Sequence, residues 1–201
     1  ALNSGYLTAG DIKYQDTNGD GQITDADKRR LGKSGKPRGQ FGINLNMSYK
    51  GFYLSALFQG STKFNMYVAG SLGMQTGQTY GMPVAYDYQT DFWTPDNRDA
   101  QYPRLMANTA LNQNNNYASS DFWLINGAYL RMKDFQFGYD FKYSLLKNVS
   151  WLTRCKMGIS GQNIFTISQA TKYGMDPEPS DTNYYGYPVE RTIALTLNLG
   201  F

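Results

Sequence analysis

The densest set of oxygen ligands in the 201-residue chain runs from Asp16 to Asp27, as Asp-Thr-Asn-Gly-Asp-Gly-Gln-Ile-Thr-Asp-Ala-Asp. Its spacing is that of an EF-hand calcium loop. Asp16, Asn18 and Asp20 supply side-chain oxygens at the first, third and fifth positions. Gly21 permits the sharp turn at the sixth, Gln22 offers its backbone carbonyl at the seventh, and Thr24 acts at the ninth directly or through water. Asp27 stands where the loop ordinarily carries Glu, and its shorter arm makes bidentate reach harder and the affinity lower. Hard cations take oxygen donors, so the expected cofactor is a structural Ca²⁺ that orders a loop. The competing reading is a metal-free Asn-Gly-Asp-Gly turn closed by Asx hydrogen bonds. A helix is expected to follow from Asp25 through Leu31, capped by Thr24 or Asp25. No helix signal precedes the loop, so a paired EF-hand domain is not expected.

Other chemistries find little support. The chain has no His and a single Cys, Cys155, which excludes imidazole catalysis, His metal sites and an internal disulfide. Asp176 and Glu178 are the one carboxylate pair that invites comparison with a glycosidase. Their Asp-Pro-Glu-Pro setting reads more simply as a rigid turn. No Walker or Rossmann motif is present. The net charge of +3 and the lack of a dense basic run argue against nucleic acid as a partner. An enzyme is not expected.

The elements that must carry these residues are strands. In Phe41 to Lys50 the odd positions are Phe, Ile, Leu, Met and Tyr, and the even ones Gly, Asn, Asn, Ser and Lys. Side chains on a strand alternate between faces, so one face is apolar and the other polar. Lys50-Gly51 reads as a tight turn into a second strand, Phe52 to about Gly60. A third spans about Ala128 to Phe141. Its apolar parity switches midway, from Leu130 and Met132 to Phe135, Phe137, Tyr139 and Phe141, so a one-residue bulge is expected near Lys133-Asp134. A fourth covers about Leu152 to Thr166. The last, Arg191 to Phe201, sets Ile193, Leu195, Leu197, Leu199 and Phe201 against Thr192, Ala194, Thr196, Asn198 and Gly200. The long segments 61–127 and 167–189 are polar and irregular, with a short helix expected around 84–92.

Long strands joined by alternating short and long connections fit a transmembrane β-barrel and a soluble β-sandwich alike. No run approaches the roughly 18 apolar residues of a membrane-spanning helix, but a barrel strand needs only about 9–11 residues with every second one apolar. Aromatics make up 15% of the chain, with 17 Tyr and 11 Phe, and charged residues only 17%, which is low for a soluble domain of roughly 25%. Mean hydropathy is nevertheless −0.54, because hydropathy averages are nearly blind to alternation. Two features favour the barrel. Phe201 closes the last strand in register with four apolar residues, the signal read by outer-membrane assembly machinery. Tyr49, Phe52, Tyr139, Phe141, Trp151 and Phe201 also gather at one set of strand ends, as an interfacial girdle would.

Several segments together resemble the SusC/RagA family of TonB-dependent outer-membrane transporters of Bacteroidetes. They are Gly10 to Gly21, Asn46 to Gly60, Tyr129 to Tyr139, Ser160 to Phe165, Asp176-Pro-Glu178, Tyr187-Pro188 and Leu197 to Phe201. The resemblance implies an all-β fold, an antiparallel transmembrane β-barrel of 22 strands with long extracellular loops, of which this chain would hold about the last five strands. Residues 1–40 would be an extracellular loop bearing the calcium motif, and 41–201 the C-terminal strands and loops of one barrel domain. It also implies import of oligosaccharides or peptides together with a SusD-like surface lipoprotein. Energy would come from TonB through an N-terminal region absent here, and the partners would include the remainder of the barrel, its plug and outer-membrane lipid.

With the final strand ending in the periplasm, the calcium-like loop, 61–127 and 167–189 would lie outside, and Lys50-Gly51 and 142–151 in the periplasm. Trp93, Tyr102, Trp123 and Tyr184 in the outer loops are the candidates for stacking on substrate, although such rings also serve simply to pack loops. The alternatives are a secreted calcium-dependent carbohydrate-binding β-sandwich and a passive porin.

Overall fold

The computed structural model describes residues 6–32, 35–68, 90–105, 115–178 and 189–201. It is all-β, with short 3-10 turns and no α-helix among the described residues. The chain forms two compact units, residues 1–33 with 67–125 and residues 34–66 with 126–201. The segment 67–125 is thus gathered with the N-terminal region rather than with the long strands. The expected helix around 84–92 lies, as far as residue 89, outside the described residues.

Among the described residues eight strands occur, in the order β1 (Gly39–Tyr49), β2 (Phe52–Thr62), β3 (Asn65–Tyr67), β4 (Leu124–Asn126), β5 (Tyr129–Asp140), β6 (Arg154–Gln162), β7 (Thr166–Ser168) and β8 (Thr192–Gly200). One sheet runs β1-β2-β5-β6-β8, with β7 also paired to β5, and every pairing in it is antiparallel. β3 and β4 make a separate two-stranded sheet. The hairpin between β1 and β2 closes directly from Tyr49 to Phe52. Lys50 (φ 46°) and Gly51 (φ 88°) both take left-handed values, the type I′ geometry whose twist matches the flanking strands.

Register carries the alternation across all five long strands. Met47, Leu54, Phe137, Ile159 and Leu195 stand side by side on one face. On the other, Ser48, Tyr53, Gly138, Gly158 and Thr196 form the adjacent row, and Asn46, Ser55, Gln136, Ser160 and Ala194 the next. The Tyr53 side chain lies flat over the glycine pair. A Cβ on Gly138 would sit 2.4 Å, and one on Gly158 2.8 Å, from the Tyr53 hydroxyl.

The parity switch in β5 is resolved as expected. Leu57 pairs with Asp134 and Phe58 with Met132, so Lys133 is the extra residue of a bulge. Without it, every side chain from Tyr129 to Met132 would change face. The fourth strand departs from expectation. It ends at Gln162, and β7 resumes at Thr166 after Asn163 adopts φ 52°. Asn163 N–H donates to the Lys133 carbonyl and Ile164 N–H to that of Met132, so the irregular residues answer the bulge across from them. An Asn tolerates left-handed backbone, which is why the break falls there.

Candidate functional site

The apolar face of the sheet is bare. On β1, Ile43 is 55% and Met47 57% exposed, and on β8, Ile193 is 68% and Leu195 85% exposed. No second sheet covers this face among the described residues. A water-soluble sandwich places such rows in its core, so the arrangement runs against that alternative. An exposed apolar surface of this extent marks a membrane or protein contact. From Phe41 to Tyr49 the apolar rows climb roughly 27 Å along the strand at the usual rise. A barrel tilt of 35–45° reduces that to about 20 Å, close to the roughly 25 Å band of outer-membrane barrels.

One end of this face is aromatic. The Phe52 and Tyr139 rings meet edge-on at 4.7 Å, and Tyr139 meets Phe141 edge-on at 5.3 Å. Trp151 and Phe201 stack at 5.8 Å with planes 6° apart, which ties the residue proposed as an assembly signal to the neighbouring turn. The rings therefore collect at the short-turn ends, where an amphipathic ring meets both water and hydrocarbon.

The polar face carries an ion cluster. Arg131, whose side chain is 3% exposed, donates from Nη2 to Asp176 (2.7 Å), from Nη1 to Glu178 (2.5 Å) and from Nε to the Thr166 hydroxyl (2.8 Å). Lys133 Nζ adds bonds of 2.8 and 2.9 Å to Glu178. The bulge supplies Lys133, and the Asp-Pro-Glu turn supplies both acids. The turn is thereby clamped to the wall of β5. Both carboxylates are committed to cations, so they are not poised as a glycosidase acid and base. The clamp was not anticipated from sequence. The signal available was two cations, Arg131 and Lys133, in a strand whose other face is hydrocarbon.

In the other unit, the Asp16–Asp27 loop closes on itself. Asp16 accepts from Gly19 N–H (Oδ1, 2.6 Å) and Gly21 N–H (Oδ2, 2.8 Å), Asn18 Oδ1 from Asp20 N–H (2.9 Å), and Asp20 Oδ1 from Gln22 N–H (2.8 Å). Asp27 turns toward the backbone. Its Oδ2 accepts from Thr24 N–H (2.7 Å) and its Oδ1 from Thr17 N–H (2.8 Å), and these bonds hold its carboxyl below the ordinary carboxylate value. Thr24 is the N-cap of a capping box with Asp27. The expected helix to Leu31 is a single 3-10 turn, Asp25–Asp27, because Lys28 is already extended at φ −66°, ψ 126°. Among the described residues no three acids, thiols or imidazoles converge as metal ligands. The donors of Asp16, Asn18 and Asp20 still suit a hard dication, since they are all oxygen and a carboxylate oxygen that accepts one N–H keeps a second lone pair, whereas Asp27 Oδ1 is shared among Thr17 N–H, the Thr17 hydroxyl and Asn18 N–H.

Trp93, Tyr102 and Trp123 are structural neighbours within this unit. Trp93 N–H donates to the Tyr102 carbonyl, and its ring lies against Gly10, where a Cβ would come within 2.4 Å. Tyr102 stacks on Trp123 at 6.4 Å. Trp123 is 4% exposed and donates Nε1–H to the Asn116 carbonyl (2.9 Å), so its ring packs the unit and offers no free face. Tyr184 lies outside the described residues. A buried network missed from sequence holds the unit together. Arg104 grips Asp11 through Nε (2.8 Å) and Nη2 (3.1 Å), and Asn116 Nδ2 donates to the same carboxylate (2.9 Å). Asn115 Nδ2 donates to the Ile12 carbonyl (2.8 Å).

No protein-family model matches the chain. It is 28% identical to TonB-dependent receptor P3 of Formosa agariphila over 216 aligned residues, covering 100% of this chain and 20% of that receptor. TonB-dependent receptor P26 of the same organism is also 28% identical, over 96% of this chain. Among solved structures, the RagAB peptide transporter superposes with a TM-score of 0.63 at 21% identity, over 90% of this chain and 19% of that one. The RagAB peptide importer in its closed-closed state gives 0.67. The chain is thus similar in sequence to TonB-dependent receptors and in fold to RagAB. It spans about a fifth of the length of the relatives it matches. On the fold it shares with those structures, the five-strand path is a stretch of barrel wall, and the bare apolar face and the ion-clamped polar face are its two surfaces.

Proposed function

We propose that this chain forms part of the wall of a TonB-dependent outer-membrane transporter that imports oligosaccharides or peptides together with a SusD-like surface lipoprotein. The observation that carries the reading is the continuous apolar face of β1, β2, β5, β6 and β8, exposed to solvent on one side of a sheet whose other side is polar. In a bilayer every backbone group must be paired. The edges of β1 and β8 would pair with further strands, closing a barrel of 22 in all, with a plug in its lumen and TonB engaged by a region outside this chain. The short turns at Lys50-Gly51 and 141–153 face the periplasm in this reading, and the long connections face outward. Trp93 and Tyr102, with Tyr184, remain the aromatic candidates for substrate contact.

The deciding experiment is import. Cells lacking the full-length transporter are complemented with the wild-type protein or with a version whose β8 apolar residues Ile193, Leu195 and Leu197 are replaced by Ser. The wild type restores growth on the transported glycan or peptide and fractionates with the outer membrane, and the triple variant does neither. Recovery of the wild-type protein in the soluble fraction overturns the reading.

A structural Ca²⁺ in the Asp16–Asp27 loop is part of the proposal. It is supported by the all-oxygen donor set and by a loop already wound around Asp16. Calcium titration by calorimetry should give one binding event in the full-length protein and none in Asp16→Asn with Asp20→Asn. Equal binding by both would remove the ion from the account.

A further inference from the structure

The bare apolar face is not uniform. Near the short-turn end it holds a groove of about 500 Å³ lined by Phe52, Phe137, Tyr139, Phe141, Met157 and Leu197, among others. One rim is fixed in place. Tyr139 is held edge-on by Phe52 and Phe141, and its hydroxyl lies 2.6 Å from the Ser144 hydroxyl in the following turn. Phe52 also stacks with Phe137 at 6.1 Å. A rigid apolar groove loses less freedom on binding than one that must first be ordered.

The turn that extends from this rim is cationic. Residues 141–153 contain Lys142 and Lys147 and no acid. The turn folds back on Phe141, whose carbonyl accepts the N–H groups of Ser144 and Leu146. Lys142 Nζ donates to the Val149 carbonyl and keeps its other protons for a second partner, and Lys147 is exposed. The hairpin turn carrying Lys50 adjoins the same rim, since a Cβ on Gly51 would come within 2.8 Å of the Tyr139 ring. Asp140, just before the turn, accepts from Lys142 N–H (3.0 Å) through Oδ1, and its Oδ2 lies 3.8 Å from Lys156 on the polar face.

We infer that this rim is a site for one anionic glycerophospholipid, with an acyl chain in the groove and its phosphate among Lys142, Lys147 and Lys50. Apolar lining and a cationic collar meet at one place, which is what an amphipathic anion requires. Hydrocarbon alone would not select the collar, and a soluble anion would not select the groove. The inference rests on the transporter reading, which brings this end of the sheet to a leaflet surface.

The test uses the full-length transporter purified from membranes in mild detergent and examined by native mass spectrometry with added phosphatidylglycerol or phosphatidylethanolamine. Four proteins are compared: the wild type, Lys142→Ala with Lys147→Ala, Met157→Trp to fill the groove, and Lys13→Ala with Lys36→Ala as a charge-matched control. The wild type and the control should retain one phosphatidylglycerol in preference to phosphatidylethanolamine. The turn variant should hold it roughly 10- to 30-fold more weakly, the worth of a cation at an anionic lipid surface taken twice. Met157→Trp should lose both lipids. Equal retention by the turn variant and the wild type overturns the inference, as does a wild-type protein that keeps no phospholipid or keeps a second copy of itself on this face. A protein that never enters the membrane fraction sinks the transporter reading instead, so the two failures are distinguishable.

Discussion

Replacing Leu197 by Lys separates a lipid-facing sheet from any water-facing one. Leu197 stands four residues from Phe201, the girdle ring that ends its strand. At the usual rise and a tilt of 35–45° it lies about 10 Å from that girdle, near the centre of a band roughly 25 Å tall. It is 63% exposed in the isolated chain. If that surface meets water, exchanging Leu for Lys changes stability by no more than about 0.5 kcal/mol. If it meets the centre of a bilayer, the cost is about 2–4 kcal/mol, falling to about 0–1 kcal/mol near the interface. The corresponding shift in the folding equilibrium is roughly 30- to 700-fold at the centre. Ile193→Lys, eight residues from Phe201 and about 20 Å from that girdle, approaches the opposite interface and should cost about 0–1 kcal/mol, and Ala194→Lys on the polar face should cost little. The assay is urea-dependent folding of the full-length transporter into phospholipid vesicles, read by the mobility difference between folded and unfolded barrel on unheated gels. Equal midpoint shifts for the Leu197, Ile193 and Ala194 variants refute the lipid assignment, because it demands a penalty that depends on depth and face.

The remaining predictions concern the polar face and the loops. Arg131→Leu strands Asp176 and Glu178 without their buried partner and should destabilise the 170–178 turn by about 3–5 kcal/mol, seen as faster amide exchange there with exchange in β1 unchanged. Deleting Lys133 should abolish folding into vesicles, because Tyr129 to Met132 would then present Arg131 to lipid and Leu130 to the lumen, whereas Lys133→Ala should fold with a loosened turn. Asp27 has its carboxyl held low by N–H bonds from Thr24 and Thr17. A depressed folded-state value means its contribution is present above the ordinary carboxylate range near pH 4 and is lost as pH falls through the lower folded value. Amide protection at Thr17 and Thr24 should therefore disappear only on acidification below about pH 4 and should be absent at all pH values in Asp27→Ala.

How much was legible depended on the range of the interaction. The faces of β1 and β8 were readable because alternation is a property of neighbouring residues. The bulge was readable for the same reason, since the parity switch between Met132 and Phe135 can be resolved only by an extra residue. The Lys50-Gly51 turn was signalled by a glycine suited to positive φ. The fourth strand was misjudged as continuous to Thr166, because its local pattern gives no sign that Asn163 must answer a bulge in another strand. The helix toward Leu31 was overextended because capping signals announce a start and say little about length. Here Lys28 is extended immediately after the turn.

Side-chain roles were harder to foresee. Asp176 and Glu178 read as a stiff turn, and only the fold shows that the turn ends at Arg131, more than forty residues earlier in the chain. Trp123 fits either stacking on a ligand or packing a loop when read from sequence, and its burial against Tyr102 and its bond to Asn116 favour packing. The pairing of Arg104 with Asp11 spans 93 residues and leaves no local trace.

Period-two alternation, glycine at a turn and a terminal aromatic in register are fixed by covalent neighbours, so the chain alone specified strands with one greasy and one polar face. Which strands adjoin, whether the greasy face is covered, and which charges meet on the polar face depend on contacts between residues far apart in sequence. Those contacts exist only once loops have closed, at an entropic cost that no short window of sequence records. The tertiary structure decided the point on which function turns: no described residue covers the apolar rows of β1 and β8.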